Sequence, residues 1–142
     1  MELDDLRTET SQQAIWAYLA TVGSDGKPDV VPVHPAWEGD TLWFMTAPQS
    51  VKARNIAANP NVALHWQAND NGDSVELWGT AVVSTDIDTK RRLWTGVFDY
   101  NLDDFVPGGP DSPDACMVSV EPERALVLKQ FGAAGRSTWK RG

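Results

Sequence analysis

The sequence predicts a mainly β domain, a small antiparallel barrel with peripheral helices, and three observations predict it. Apolar and β-branched stretches recur along the chain between clusters such as Ser24-Asp25-Gly26-Lys27 and Glu38-Gly39-Asp40, the pattern of strands joined by hairpins. Two stretches of helical composition interrupt that pattern, one after the third strand and one before the last pair of strands. No β-α-β alternation and no G-x-G-x-x-G occurs, which argues against a dinucleotide-binding Rossmann domain. Six or seven short strands with such insertions fit a small barrel.

The elements follow in order. Asp4 to about Gln13 is predicted as a short, weakly amphipathic helix around Leu3 and Leu6. Ile15 to Val22 is apolar and rich in β-formers, and reads as the first strand. Asp25-Gly26 supplies the positive φ angles of a hairpin turn. Pro28 to Trp37 is predicted as the second strand, but Pro32 and Pro35 cannot donate to a ladder, so part of it is an edge, a bulge or a place where pairing stops. Leu42-Trp43-Phe44-Met45 is an unbroken apolar run, as in a strand buried on both faces. Val51 to Ala58 is a short helix, stopped by Asn59-Pro60. Asn61 to Gln67 alternates in polarity, with Val62, Leu64 and Trp66 on one face. Ser74 to Val83 is a long strand, and Asp86 to about Val97 a helix with Arg91, Trp94 and Phe98 roughly a turn apart. Asp99 to Pro113 reads as a loop. Ala115 to Val120 and Ala125 to Phe131 are predicted as two strands split by Glu121-Pro122-Glu123-Arg124, and Gly132 to Gly142 as a polar, basic tail.

Composition limits the function classes. A chain of 142 residues with 42% hydrophobic residues is expected to fold as one domain, 1–142. Its net charge of −8 disfavours nucleic acid or an anionic membrane surface as a partner, because no basic patch exists to release counterions. The single cysteine, Cys116, excludes a disulfide within the chain and suits a reducing cytoplasm; in its apolar context it reads as a small buried hydrophobe. The polar, acidic N-terminus does not resemble a signal peptide. Seven tryptophans exceed what a core of this size needs, and point to a ligand or subunit interface.

The stretch from Thr41 to Pro60 carries the strongest functional signal. A strand, a tight loop and a helix capped by Ser50 make a ready anion site, since the free N–H groups of the first turn and the helix dipole both favour negative charge. Lys52 sits in that first turn, against the dipole; a phosphate between the two would account for it, as would a plain solvated lysine. Other chemistries lack their residues. There is no G-x-S-x-G, and the two histidines, His34 and His65, have no cysteine or carboxylate at metal-ligand spacing. No metal site and no catalytic side chain is therefore assigned. His65 reads as structural; His34, beside the prolines, faces either a ligand or the fold. The five aspartates between Asp99 and Asp114 lack EF-hand spacing and read as a solvated loop.

The order of these features resembles the pyridoxamine 5′-phosphate oxidase-like, FMN-binding split barrels. The matching parts are AYLATVGSDGKPDVVPV, LWFMTA, SVKARNIAANPNVAL and VELWGTAVV. Within that superfamily the chain is similar to the general stress protein 26 group, through RRLWTGVFDY, FVPGGPDSPD and VEPERA. The resemblance implies a six-stranded antiparallel split barrel, a homodimer, and FMN bound at its interface, with FAD or a deazaflavin as the alternative cofactor. The phosphate loop of the oxidases reads Ser-Arg-Lys; here it reads Ser50-Val51-Lys52, so the serine and lysine carry over and the arginine does not. The resemblance further implies that Val31, Pro32, Val33, Thr46 and Ala47 run along the flavin, and that Trp66 and Gln67 reach it. Trp94 and the Phe105–Pro110 loop are expected at the same groove or at the dimer seam. The oxidases' C-terminal Arg-Leu-x-Pro motif is missing, which argues against vitamin B6 oxidation. The implied activity is a nicotinamide-linked flavin oxidoreductase acting on a small acceptor; the alternatives are a non-catalytic flavin-binding stress-response protein and a deazaflavin-dependent reductase.

Overall fold

A computed structural model describes residues 1–142. The chain forms one antiparallel sheet of eight strands with three short helices. Helix α1 (Leu3–Gln12) opens the chain; its first turn is closed by a reciprocal Glu2–Asp5 capping box, and it buries Leu6. Strands β1 (Ala17–Val22) and β2 (Pro28–Val33) form a hairpin, as do β3 (Ala36–Glu38) and β4 (Thr41–Thr46). Helix α2 (Val51–Ala58) leads into the hairpin of β5 (Asn61–Trp66) and β6 (Ser74–Ser84). Helix α3 (Ile87–Trp94) and a loop with two 3-10 turns precede β7 (Cys116–Lys129) and β8 (Gly135–Lys140).

The sheet order is β2-β1-β5-β6-β7-β4-β3, with β8 also paired to β7. Its two edge strands, β2 and β3, are separated in sequence by His34 and Pro35 alone. A link that short requires the sheet to curl until its edges approach each other. The edges do not pair across that seam, so the barrel is split. Its interior is a cluster of 17 buried residues, including Leu19, Phe44, Leu64, Leu77 and Val118. A second cluster of eight, outside the barrel, packs Trp94, Leu93, Phe98 and Leu102 against Trp43 and Met117.

The eight strands depart from the seven read element by element, and from the six that the resemblance implies, and three places account for the change from seven, each with a physical cause. The stretch Pro28–Trp37 breaks at His34-Pro35, because a proline there offers no N–H to continue the ladder. The two strands expected around Glu121–Arg124 are one. Strand β6 pairs with β7 throughout, with Trp78 opposite Arg124 and Gly79 opposite Pro122; Glu123 is left over as a β-bulge. The bulge lets β7 pair with β4 through Cys116–Val120 and with β8 through Arg124–Lys129. The expected tail is itself strand β8, mostly exposed, with Trp139 packed on the barrel core. Phe131, expected in a strand, sits instead at the β7–β8 turn with φ 57°.

Gly79 faces the bulge where only a bare backbone fits. A Cβ there would lie 2.3 Å from the Glu121 carbonyl oxygen. Gly79→Ala is expected to cost about 1–3 kcal/mol through forced backbone shifts. Thermal denaturation should show a midpoint several degrees lower, at roughly 2–4 °C per kcal/mol for a chain near this size. An unchanged midpoint would show that the bulge is not a fixed feature of the sheet.

Candidate functional site

The main cleft, about 630 Å³, opens at the split in the barrel. One wall comes from the end of β2 and the link after it: Pro32, Val33 and His34. The opposite wall is the end of β4 and the loop that follows: Met45, Thr46 and Ala47. Lys52 of α2 and Gln67 just after β5 contribute polar groups, and Asp114 a carboxylate.

The local sequence explains how Lys52 arrives there. Ser50 caps α2, accepting the Ala53 N–H at 3.2 Å, and Thr46 donates to the Ser50 hydroxyl at 3.1 Å. Thr46 ends β4, so this bond ties the helix start to the strand. The Val51 and Lys52 amides make no hydrogen bond within the chain and remain available to an acceptor. Lys52 forms no ion pair. It is the only lysine or arginine lining the cleft. Lys52, which lines the cleft without an ion-pair partner, and two free amides belong to the same helix start, and their common chemistry is the binding of an anion.

Aromatic rings build the rest of the cleft. His34 stacks on Tyr100 with centroids 4.3 Å apart, and Trp16 meets His34 edge-on at 6.5 Å. Tyr100 in turn meets Phe105 edge-on at 5.5 Å. His34 Nε2 lies 2.6 Å from Asp99 Oδ1, but off the line of a hydrogen bond. Burial, and then the Asp99 charge, raise the Tyr100 hydroxyl above the ordinary tyrosine range. Beneath Thr46, the buried Cys116 thiol donates weakly to the Thr46 carbonyl at 3.4 Å, and burial raises its pKa.

The loop that brings Tyr100 and Phe105 is pinned by α3. Lys90 is only 3% exposed, and its ammonium donates to the Ser112 and Ala115 carbonyls at 2.8 and 3.2 Å. Arg91 grips Asp111 with two bonds of 2.9 Å, which hold the aspartate below the usual carboxylate range. Trp94 Nε1 donates to Asp103 at 2.9 Å. The stretch keeps its five aspartates exposed, as a solvated loop would, but α3 holds it and its Tyr100, Phe105 and Val106 line the cleft.

Of the residues singled out from sequence, the fold brings Pro32, Val33, Thr46, Ala47, Lys52 and Gln67 together in the cleft. Ser50 and Val51 stand behind it at the helix start. Val31 lies opposite Leu19 in the β1–β2 ladder. Trp66 is in the barrel core and Trp94 in the outer cluster, neither lining the cleft. From the Phe105–Pro110 loop, Phe105 and Val106 do line it. Trp16, Tyr18, Met45, Tyr100 and Asp114 went unnoticed in the sequence; the aromatic spacing Phe98-x-Tyr100…Phe105 among aspartates was the one available signal for Tyr100.

Comparison with known proteins bears on the fold and the family. Across nearly its whole length the fold is that of a protein from Clostridium acetobutylicum related to general stress protein 26, with 18% identity and a TM-score of 0.79 over 99% of this chain and 96% of that one. General stress protein 26 from Bacillus anthracis is 22% identical, with a TM-score of 0.73 over 99% and 100% of the two chains. An F420 reductase is 28% identical, with a TM-score of 0.62 over 82% of this chain and 93% of that one. Comparison with curated protein sequences finds no match. The family model for pyridoxamine 5′-phosphate oxidase matches residues 4–129, and the chain belongs to that family.

Proposed function

We propose that the cleft binds FMN, and that the protein is a flavin-dependent oxidoreductase working as a homodimer. The observation that carries this reading is Lys52, unpaired and lining a largely apolar cleft, on a helix start whose Val51 and Lys52 amides are free. That donor set suits a phosphate monoester joined to a flat apolar body. Family membership and the fold support the same reading.

A bound flavin supplies the hydride chemistry. The chain's own residues bind, orient and shield. Lys52 and the first turn of α2 hold the phosphate. Strand β2 is a sheet edge, so its outward backbone groups stay free for the ring and its side chain. Trp16, Tyr100 and Phe105 keep water from the apolar part of the cleft. No side chain here is assigned as an acid or base. A deazaflavin is the second reading, favoured by the F420 reductase having the highest identity among the structures compared above. The absorption spectrum and mass of the ligand that copurifies separate the two: oxidised FMN gives a flavin spectrum, a deazaflavin a shorter-wavelength one.

The outer face of the β1–β2 hairpin supports the dimer. Tyr18 and Val30 are exposed there, with Trp16 leading into β1, and exposed large apolar side chains on one sheet face suit an interface. Light scattering at micromolar concentration is expected to give twice the chain mass. A mass of 15.6 kDa would remove the dimer from the account.

Lys52→Met is expected to weaken FMN binding roughly 10- to 100-fold, from the loss of one charge-assisted bond. The fold should survive, because a first-turn lysine opposes the helix dipole. Riboflavin, which lacks the phosphate, should bind wild type and variant alike. Equal proportional losses for both ligands would place Lys52 away from the phosphate.

A further inference from the structure

We propose that the free edge of β8, with the outer face of β7 beside it, is a docking strip for an acidic peptide segment that adds to the sheet as a further strand. Strands β5, β6 and β7 separate this strip from the β1–β2 hairpin, and its occupancy is independent of what the cleft binds.

Three observations carry it. The first is the edge. Strand β8 pairs with β7 and with no other strand, and every residue of it but Trp139 is exposed. An unpaired edge of six residues offers a row of main-chain donors and acceptors to an incoming strand. The second is charge. The net charge of −8 conceals a segregation: from Arg124 to Gly142 there is no aspartate or glutamate, while Arg124, Lys129, Arg136, Lys140 and Arg141 fall there. Trp139 packs on the barrel core, so Arg136, Thr138 and Lys140 face outward. They stand opposite Leu128, Leu126 and Arg124 of β7. Arg124, Arg136 and Lys140 take part in no ion pair. The third is apolar surface where a guarded edge would carry none. Leu126 and Leu128 are half-buried beside those charges, and the Arg124 guanidinium lies 3.8 Å over the Trp78 ring. At the turn joining the two strands, Phe131 is 80% exposed and held at a φ of 57°, its N–H donating to the Gly72 carbonyl at 2.8 Å. A bulky residue in the left-handed region is strained, and such strain gathers at ligand clamps. Charge alone would guard the edge against pairing; charge around apolar groups suits a segment of opposite charge. A second copy is the wrong occupant, because a centred antiparallel β8 pair would set Arg136 against Lys140. A long polyanion would meet the excess acid of the rest of the chain.

The test is fluorescence anisotropy of a fluorescein-labelled hexapeptide, Glu-Val-Glu-Thr-Glu-Val, titrated with the protein at low ionic strength. Three further probes carry the same label: Lys-Val-Lys-Thr-Lys-Val, the acidic peptide with every amide N-methylated, and a short oligothymidylate matching the acidic peptide's charge. The acidic peptide is expected to bind at least about 10-fold more tightly than each of the others. Added salt should weaken it without abolishing it, since the main-chain bonds remain. Arg136→Glu combined with Lys140→Glu, both at exposed positions, should weaken it by about 10-fold or more. Thermal denaturation checks that this variant folds, and the four probes on the unaltered protein decide the matter without it. No binding of the acidic peptide, equal binding of the basic or the N-methylated peptide, or tighter binding of the oligothymidylate would overturn the strip. An affinity untouched by the double charge reversal, in a folded variant, would do so as well.

Discussion

The fold depends on a constraint at its seam. Strands β2 and β3 are the two ends of one sheet, yet only His34 and Pro35 separate them. The sheet must therefore curl back on itself, and the buried cluster around Phe44, Leu64 and Leu77 fills the space it encloses. Closure would need hydrogen bonds between the edges. Pro32 on the β2 edge has no N–H to give, and the two edges approach without pairing. The cleft lies where they fail to join, bounded by Pro32–His34 on one side and Met45–Ala47 on the other. The bulge at Glu123 provides the complementary freedom, letting the long strand β7 change partners from β4 to β8 without leaving β6.

Two rigid attachments turn this opening into a site. At one, Thr46 bonds the Ser50 cap, so the helix that bears Lys52 is fixed to the end of a core strand. On the proposed reading, its lysine and first amides would meet an anion without reorganising, which is the condition for strong electrostatic binding. At the other, Lys90, Arg91 and Trp94 clasp the loop from Asp99 to Asp114. Lys90 is the least expected of these, a buried ammonium satisfied by carbonyls alone. Its two bonds offset part of the cost of burying the charge. Helix α3 thus acts as a bracket for the aromatic wall rather than as part of the site.

Much of this was legible from local chemistry. Asp25-Gly26 announces its hairpin and Gly26 takes the positive φ expected of it, 78°. Ser50 caps the helix that its position predicts. Pro32 and Pro35 flag a break in pairing, though not that the break is the seam of the whole sheet. What stayed hidden was set by distant partners. Glu121–Arg124 reads as a turn by composition, but pairing with β6 on one side holds it extended. Strand β8 is polar because most of it faces solvent, so only Trp139 betrays it. Trp66 and Trp94 are large and apolar, and sequence alone cannot separate a tryptophan that fills a core from one that lines a groove. Tyr100 and Asp114 reach the cleft only because α3 pins their loop, a contact that no short-range pattern encodes.

The most direct test of the central claim is a crystal structure of the protein with FMN. The phosphate is expected against the Val51 and Lys52 amides and the Lys52 ammonium, with the ring system lying in the seam between Pro32–Val33 and Thr46–Ala47. A phosphate bound away from the start of α2, or a ring lodged outside the seam, would contradict the account.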